Sequence, residues 1–249
     1  MPGLDRRPYL TELHLHTVAS PCAELEMLPP LIIERAVEIG VELLAVTDHN
    51  CAENVQAVID AAQGTGLWVL PGMEVQTREE AHLVTLFDTV EQALAWQRVV
   101  YEHLPPLANE PDLFGSQLVV DADGEFLRYN ERLLLTSTDL SVEQVVAGVH
   151  DLGGLAIASH VDRQAFSLLG NLGFIPPGLP LDAVELSRHV EPMAWLARYG
   201  KGITWPVVRS SDAHRLSEMR PAMRLLLKAP TIAGIRRALQ NSESDIELL

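Results

Sequence analysis

Short apolar segments alternate with segments of helical periodicity along most of this chain, and this alternation restricts the folds it can adopt. The apolar segments have the length of buried strands, and the segments between them have the length of helices. Such alternation favours βα units around a mainly parallel sheet, so we predict an α/β fold. The predicted strands lie at 10–16, 43–46, 67–70, 81–87, 155–158, 182–187, 206–210 and 223–227.

Helix start and stop signals lie between these predicted strands. Two consecutive prolines, Pro29 and Pro30, open a helix that stops at Gly40. The segments TVEQ at 89–92 and SVEQ at 141–144 have the spacing of capping boxes, and each predicts the start of another helix. A closing helix is predicted over 231–239.

The middle of the chain is less regular than the rest. Residues 117–129 predict a β-hairpin that turns at Asp121-Ala-Asp-Gly124. The irregular stretch of about 105–135 is too short to form its own core, so we interpret it as a small β-hairpin insertion. We therefore expect one domain over 1–249.

Length and composition limit the classes of protein to consider. The chain has 249 residues, 47% of them hydrophobic, which suits a single α/β barrel. It contains no apolar run of about 18 residues, and its first residues, MPGLDRRPYL, lack the apolar region of a secretory signal. We therefore expect no membrane segment. With only Cys22 and Cys51 there is no disulfide framework, so we expect a cytoplasmic protein.

The net charge of −16 bears on possible partners. An acidic surface repels the phosphate backbone, so we expect no stable complex with duplex nucleic acid. A small phosphorylated substrate remains compatible with this charge, because bound cations invert the local field. The sequence leaves the oligomeric state open.

Many histidines and acids lie at or just beyond the ends of the predicted strands. In a barrel, the carboxyl ends of the strands meet on one face, so these side chains would surround one volume. Such groups would stay unsatisfied or repel each other without cations between them. Mixed nitrogen and oxygen ligands suit zinc, manganese or iron better than calcium, and their number implies two or three ions. The residues are His14, His16, Asp48, His49, Glu74, His82, His160, Asp212 and His214.

Taken singly, each of these residues has a simpler explanation. His16 alone is typical of a hydrogen-bonded structural histidine, and Asp48 alone could cap a helix. Several strand-end clusters together are harder to explain that way. By contrast, His103 and His150 lie within helical patterns, and we predict that neither is a ligand, whereas His189 follows a predicted strand end and is a candidate near the site.

Five motifs in order resemble the PHP (polymerase and histidinol phosphatase) family. They are H-x-H at 14–16, T-D-H-N at 47–50, P-G-M-E at 71–74, S-H-x-D-R at 159–163 and S-D-A-H at 211–214. The resemblance implies a distorted (βα)7 TIM-like barrel with a phosphoesterase site that contains two or three divalent metal ions.

The resemblance also implies a role for each candidate ligand. One metal would be bound by His14, His16, Glu74 and Asp212. Glu74 would bridge to a second metal that His82 and His160 also bind. The remaining two histidines, His49 and His214, would bind a third metal.

The third site departs from the family pattern. Many small PHP phosphatases have H-x-H-x-x-x-S-D-G, whereas Pro21 stands here in place of the aspartate. Glu24 or Cys22 could replace that ligand, and we place Glu24 first. A thiolate at Cys22 would favour zinc. Alternatively, Cys22 is a small residue in a turn and the third site is weak or empty.

In the mechanism that this resemblance implies, a metal-activated hydroxide attacks the phosphorus in line. Such sites usually add basic groups that bind the phosphate, and Arg163 is our first candidate, followed by Arg188 and Arg209. Asp48 would contact the metal ligands and hold them in place without binding a metal itself. The leading hypothesis is therefore a metal-dependent phosphoesterase that hydrolyses a phosphomonoester of a small metabolite or nucleotide.

Three alternatives stay open. The first is a metal-dependent amidohydrolase, although neither Lys201 nor Lys228 lies at a strand end where a carboxylated lysine would bridge two ions. The second is a 3'-5' exonuclease-like phosphodiesterase, which the acidic charge disfavours. The third is a binding module without catalysis, which is disfavoured because nearly all ligand positions are occupied by ligand-type residues.

Overall fold

The computed structural model describes residues 6–249. Its main sheet has nine strands in the order β11-β10-β1-β2-β3-β4-β7-β8-β9 and curves into a nearly closed barrel. These strands are β1 (Arg7–Glu12), β2 (Leu43–Val46), β3 (Trp68–Gln76), β4 (His82–Leu86), β7 (Leu155–Ala158), β8 (Ala183–Leu186), β9 (Val207–Arg209), β10 (Met223–Leu227) and β11 (Ile246–Leu248). A separate pair contains β5 (Leu118–Val120) and β6 (Phe126–Tyr129).

The helices that the sequence predicts lie between the strands in the predicted order, together with further helices that it did not predict, so the α/β class is confirmed. Both capping boxes form, at Thr89 before α3 and at Ser141 before α5. The helices are α1 (Pro29–Glu38), α2 (Val55–Ala61), α3 (Val90–His103), α4 (Pro111–Phe114), α5 (Val142–Asp151), α6 (Leu168–Leu172), α7 (Pro192–Tyr199), α8 (Ile232–Gln240) and α9 (Ser242–Asp245). None of the helices described over 6–249 is long and apolar enough to cross a membrane.

The prediction of a mainly parallel sheet holds for strand direction, except that β4 and β10 run opposite to the other strands, so half of the strand pairs are antiparallel. Strands β1, β2 and β3 pair in parallel, as do β7, β8 and β9, but β4 runs antiparallel to both of its neighbours, β3 and β7. The short connection at 77–81 forces this reversal, because a parallel partner needs a crossover of about a dozen residues or more. On the other side, β10 runs antiparallel to both β1 and β11.

Two predicted strand boundaries also differ from the structure. β1 ends at Glu12, so His14 and His16 lie on the loop that follows it. β3 continues through 71–74 to Gln76, so Glu74 lies within a strand. Gly72 permits this continuation, because a Cβ there would lie 2.8 Å from the carbonyl oxygen of Thr85 on the neighbouring strand.

Both faces of the sheet are buried, which explains why its strands are apolar with little alternation. One face packs on α8 through a cluster that includes Leu43, Leu225 and Ile235. The other face packs on α1, α3 and α5 through a larger cluster that includes Ile32 and Trp96. Layers on both sides fix the strands, and therefore the positions of the loops at their ends.

The predicted hairpin forms and lies against the barrel. Its turn closes with the amide of Gly124 donating to the carbonyl of Asp121. The Leu118 amide donates to the carbonyl of Val18 at 2.8 Å, and the Val120 amide donates to the Asn54 side chain at 3.0 Å. These contacts attach the hairpin beside the loop that carries Cys22. That the whole chain forms one domain over 1–249 stays a prediction.

Candidate metal centre

Eight of the predicted ligand residues lie close together at one end of the barrel. Three groups each have ligand atoms within 4.8 Å of one another. The first contains His14, His16, Glu74 and Asp212; the second His49, Glu74 and His82; the third His16, His49 and His214. His160 joins them through Glu74, because its Nε2 is 3.2 Å from Glu74 Oε1.

Glu74 is the centre of this cluster. The residue is 1% exposed, and the imidazoles of five histidines surround its carboxylate. Backbone pairing fixes its position: the Glu74 amide donates to the carbonyl of Asp48 at 3.1 Å, and the Asn50 amide donates to the carbonyl of Glu74 at 2.8 Å. Its carboxylate oxygens lie 3.0 Å from His49 Nδ1 and His82 Nδ1, 3.2 Å from His14 Nε2 and His160 Nε2, and 3.5 Å from His16 Nε2.

Asp212 is the second buried carboxylate of the cluster. Its Oδ1 lies 3.1 Å from His16 Nε2 and 3.3 Å from His14 Nε2, and its Oδ2 forms an ion pair with the Arg163 guanidinium at 2.8 Å. The backbone of Asp212 has a φ of 51°, and that of His160 has a φ of 30°. Non-glycine residues rarely adopt these values, and such backbone strain is concentrated at functional sites.

Two relays behind the cluster orient the histidines of the H-x-H motif. His14 Nδ1 donates to the Glu185 carboxylate, with the two oxygens at 3.0 and 3.1 Å. Ser20 donates its hydroxyl proton to Asp48 at 2.7 Å, so its oxygen accepts from His16 Nδ1 at 2.9 Å. Both rings therefore direct Nε2 towards the cluster, which is how protein scaffolds usually orient metal-binding imidazoles.

Asp48 lies behind the ligands, where we predicted it to support them. Besides the bond from Ser20, it accepts from the amide of Thr17 and from the Thr17 hydroxyl, each at 2.7 Å. The Ser20 oxygen also accepts from the His49 amide at 3.1 Å. One buried carboxylate thus fixes the loop after β1 to the loop after β2.

Sequence reasoning missed Glu12 and Glu185. Both are almost fully buried, and each interrupts an apolar strand segment. Glu12 accepts from the amides of His14 and Ser211, and burial raises its pKa to about 8. The signal that would have revealed them is an acid inside a predicted buried strand, because such an acid needs partners.

The charges of the cluster shift the pKa values of its members strongly. Burial opposes ionisation, but the neighbouring histidines hold the pKa of Glu74 and of Asp212 well below their ordinary values. Burial lowers the pKa of His14, yet Glu185, Glu74 and Asp212 together raise it well above its ordinary value. Burial and the neighbouring His214 and His49 lower the pKa of His16 well below its ordinary value. The two carboxylates are thus ionised beside a neutral imidazole.

The arrangement of donors and lone pairs fits divalent cations. His16 is neutral with its proton on Nδ1, so its Nε2 lone pair faces Asp212 Oδ1 at 3.1 Å, and both atoms are acceptors. Within residues 6–249, both ring nitrogens of His82, Nδ1 of His160 and Oδ1 of Asp212 have no hydrogen-bond partner. Buried acceptors that face each other need a cation, and imidazole with carboxylate suits zinc, manganese or iron.

The two candidates for the missing third-site ligand lie in different places. The Glu24 carboxylate is exposed and pairs with Arg215 at 3.1 Å. Cys22 is also exposed at the surface, but although desolvation raises the pKa of its thiol, the nearby His49 and His214 lower that pKa to about 6. This influence of two candidate ligands on the Cys22 thiol, and the ion pair of Glu24 with Arg215, favour Cys22 over Glu24, the reverse of the order expected from the sequence.

The three candidate arginines have different environments. Arg163 contacts the cluster directly through Asp212. Arg188 donates to the carbonyl of Ser211 at 3.0 Å and to Glu218 at 2.6 Å, so it fixes the loop that carries Asp212. Arg209 donates to the carbonyls of Leu249, Arg188 and Val190, away from the cluster.

The remaining histidines lie outside the cluster. His189 is exposed and lines a separate cavity together with Arg209 and Met193. His103 pairs with Asp139, and His150 Nε2 lies 2.8 Å from Asp182 Oδ2, within hydrogen-bond distance. The structure therefore brings neither helical histidine to the site.

Comparisons with known proteins agree with this description. The PHP domain model matches residues 12–203. The chain is 35% identical over 80 residues to the 5'-3' exoribonuclease Rnm of Salmonella typhimurium, covering 30% of this chain and 26% of that protein. It is 36% identical over 88 residues to a 3',5'-nucleoside bisphosphate phosphatase of Chromobacterium violaceum, covering 34% and 30%. The chain thus matches less than a third of the length of these relatives.

Among solved structures, the chain is similar to the lesion-specific endonuclease PfuEndoQ from Pyrococcus furiosus. The TM-score is 0.72 at 18% identity, over 97% of this chain and 58% of that chain. At this identity the likeness concerns the fold alone, and it confirms the predicted TIM-like barrel. The expectation that duplex nucleic acid is not a stable partner stays a prediction.

Proposed function

Because the chain belongs to the PHP domain family, we propose that it is a metal-dependent phosphoesterase that hydrolyses phosphomonoesters of small metabolites or nucleotides. One observation carries this proposal: Glu74 is buried among five imidazoles, with Asp212 beside it. A bridging carboxylate between nitrogen ligands suits two ions close together, and such pairs serve phosphoryl transfer to water.

The ligand assignment follows the resemblance to the family, and its first set of ligands coincides with one of the three groups of donors. His14, His16, Glu74 and Asp212 would bind one ion, and Glu74 would also be a ligand of a second ion bound by His82 and His160. His49 and His214 would bind a third ion with Cys22. When bound, such ions lower the pKa of water and neutralise the charge that develops on the phosphoryl oxygens.

Residues of the chain itself perform the remaining tasks. Arg163 is 35% exposed at its side chain, so its guanidinium can bind a phosphate oxygen while one nitrogen stays on Asp212. Glu185 and Asp48 keep the rings of His14 and His16 in the orientation that exposes Nε2. Arg188 keeps the loop of Asp212 in place.

The net charge favours a small substrate over a polymer. A phosphomonoester brings its charge to a few cations, whereas a nucleic acid extends its phosphates over a surface that carries a net charge of −16. The similarity to an exoribonuclease over 80 residues supports a second candidate, a phosphodiesterase that acts on the ends of nucleic acids.

Metal reconstitution tests the proposal. Protein stripped with a chelator is reloaded separately with Mn²⁺, Zn²⁺ and Fe²⁺ and assayed for phosphate release from a panel of phosphomonoesters, with a single-stranded RNA and a cyclic amide as competing substrates. We expect phosphate release in the wild type and its loss in Glu74→Gln, with metal content measured in parallel. Full activity and full metal content in Glu74→Gln would contradict the site. Cleavage of RNA alone, or of the amide alone, would contradict the phosphomonoester assignment.

A further inference from the structure

A cavity of about 790 Å³ shares one residue, Arg163, with the surroundings of the metal centre, and the proposed reaction does not explain it. It lies between the segment after His160, helix α6 and helix α7, within the size range of small-molecule sites. The side chains that matter here are Arg163, Gln164, Phe174, Trp195, Tyr199 and Lys201.

Arg163 connects this cavity to the metal centre. It lines the cavity, while its guanidinium forms an ion pair with Asp212 at 2.8 Å. The next residue back, Asp162, is fixed by the Ser187 amide and hydroxyl at 2.7 and 2.6 Å, which holds this segment in place. A ligand whose phosphate is bound by Arg163 at the metal centre would therefore have the rest of its structure beside this cavity.

Three aromatic residues line the cavity. Trp195 and Tyr199 are four residues apart on α7, with ring centroids 5.7 Å apart. Tyr199 is 52% exposed, and Phe174 on the other side is 55% exposed. Exposed aromatic rings around a concave site offer stacking faces to a flat ligand. Gln164 and Lys201 add hydrogen-bonding groups among these rings.

We propose that this cavity binds the base of a nucleotide whose phosphoryl group is hydrolysed at the metal centre. The inference rests on the proposed phosphomonoesterase and specifies its substrate class. A nucleobase has a flat π-face for the aromatic rings and polar edges for Gln164 and Lys201. A sugar phosphate without a base would leave the cavity unfilled, so the cavity discriminates between these two classes of phosphomonoester.

The test compares substrates with and without a base. Values of kcat/KM are measured for nucleoside 5'- and 3'-monophosphates and for ribose 5-phosphate, in the wild type, Trp195→Leu and Tyr199→Ser. Trp68→Leu is the matched control, because Trp68 is an exposed tryptophan at the far end of β3 from Glu74. We expect the Trp195 variant to lose roughly 5- to 150-fold in kcat/KM on the nucleotides, the range for removal of one stacking side chain.

Ribose 5-phosphate reports whether each variant still folds. Its hydrolysis should be the same in the wild type and in all three variants, and the control variant should keep the preference for nucleotides. Equal kcat/KM for nucleotides and ribose 5-phosphate in the wild type would overturn the inference while leaving the phosphatase intact. So would an unchanged preference in both the Trp195 and Tyr199 variants.

A binding measurement separates failure of the inference from failure of the proposed function. Saturation-transfer NMR with adenosine, which has no phosphate, needs no reaction at the metal centre. If the wild type hydrolyses no phosphomonoester, the proposed function fails, and adenosine binding that is lost in Trp195→Leu still supports the cavity as a base site. Absence of adenosine binding in that case overturns the inference as well.

Discussion

Replacing Glu185 by glutamine tests whether a residue that touches no proposed ion nevertheless controls metal affinity. Glu185 is 1% exposed and accepts from His14 Nδ1 with both carboxylate oxygens. Its Oε1 also accepts from the His160 amide at 3.1 Å. Two proposed ligands from two loops therefore depend on one carboxylate.

The size of the effect follows from these contacts. Glutamine can keep its carbonyl oxygen at the position of Oε1, but its amide nitrogen then replaces Oε2, which lies 3.1 Å from the Nδ1–H of His14, and two donors face each other. A hydrogen bond to a charged group is worth about 1 kcal/mol more than a neutral one. The ring of His14 also becomes less basic when it loses this charged acceptor. We therefore expect metal affinity to fall by roughly 10- to 100-fold.

Glu12→Gln is the matched control. Glu12 is equally buried and also lies beside His14, but it accepts from backbone amides and contacts no ring. Because burial raises its pKa to about 8, the protonated acid that glutamine imitates is already the main form at neutral pH. We expect a much smaller change in metal affinity for this variant.

Competition with a chromogenic chelator measures the dissociation constant of Zn²⁺ or Mn²⁺ in the wild type and in both variants, with circular dichroism as the check on folding. If Glu185→Gln binds the ion as tightly as the wild type, the relay from Glu185 to His14 has no role in metal binding. If Glu12→Gln loses as much affinity as Glu185→Gln, the loss reflects burial of a neutral amide and the reasoning about ring orientation is wrong.

Three further predictions follow from the site and its support. Arg163→Ala should keep its metal content but lose roughly 10- to 100-fold in kcat/KM, the value of a charge-assisted hydrogen bond to phosphate; loss of metal in elemental analysis would show that its contact with Asp212 matters more. Metal binding should release protons, because three of the proposed ligand histidines have raised pKa values and must be neutral to bind, so affinity falls as the pH falls; calorimetric heats that do not depend on the buffer would contradict this. Gly72→Ala should lower the free energy of unfolding by about 1–3 kcal/mol, because its Cβ would lie 2.8 Å from the Thr85 carbonyl oxygen; an unchanged melting temperature would count against this packing.

The local elements could be predicted because each has its own signal in the sequence. The strands at Leu43–Val46 and Leu155–Ala158 are short apolar runs, and the structure has them at those residues. Helices α3 and α5 begin at their capping boxes, since Thr89 and Ser141 each bond the amide three residues later. Local hydrogen bonding decides these features, so a local pattern is enough to find them.

The direction of β4 could not be predicted in the same way. Its reversal depends on the turn at 77–81, where Glu80 adopts a φ of 58° although it is not glycine. The segment Thr-Arg-Glu-Glu-Ala lacks the Asn-Gly or Asp-Gly pair that marks a tight hairpin. Pairing with β3 and β7 over many residues determines this conformation, and that pairing connects distant parts of the chain.

The choice between Glu24 and Cys22 also lies beyond sequence spacing. Both follow the H-x-H motif within ten residues. The loop closes on itself through the Val18 amide and the carbonyl of Met27, and its Glu24 amide donates to the carbonyl of His214. This backbone contact directs the Glu24 side chain to solvent and Arg215, and leaves Cys22 beside the histidines.

The candidate ligands could be found although two predicted strand boundaries were wrong, and the reason is geometric. A strand-end residue can shift by two positions and still lie on the same edge of the barrel, since each residue advances only about 3.3 Å. His14 is on a loop and Glu74 is within a strand, yet their side chains meet at 3.2 Å, because β1 and β2 pair in parallel, and β2 and β3 do too. Orientation is less tolerant, because rotating a ring by one rotamer removes Nε2 from the cluster. Buried acids such as Glu185 control that orientation. A sequence search for sites of this kind should therefore look for acids inside buried strands as well as for ligands at their ends.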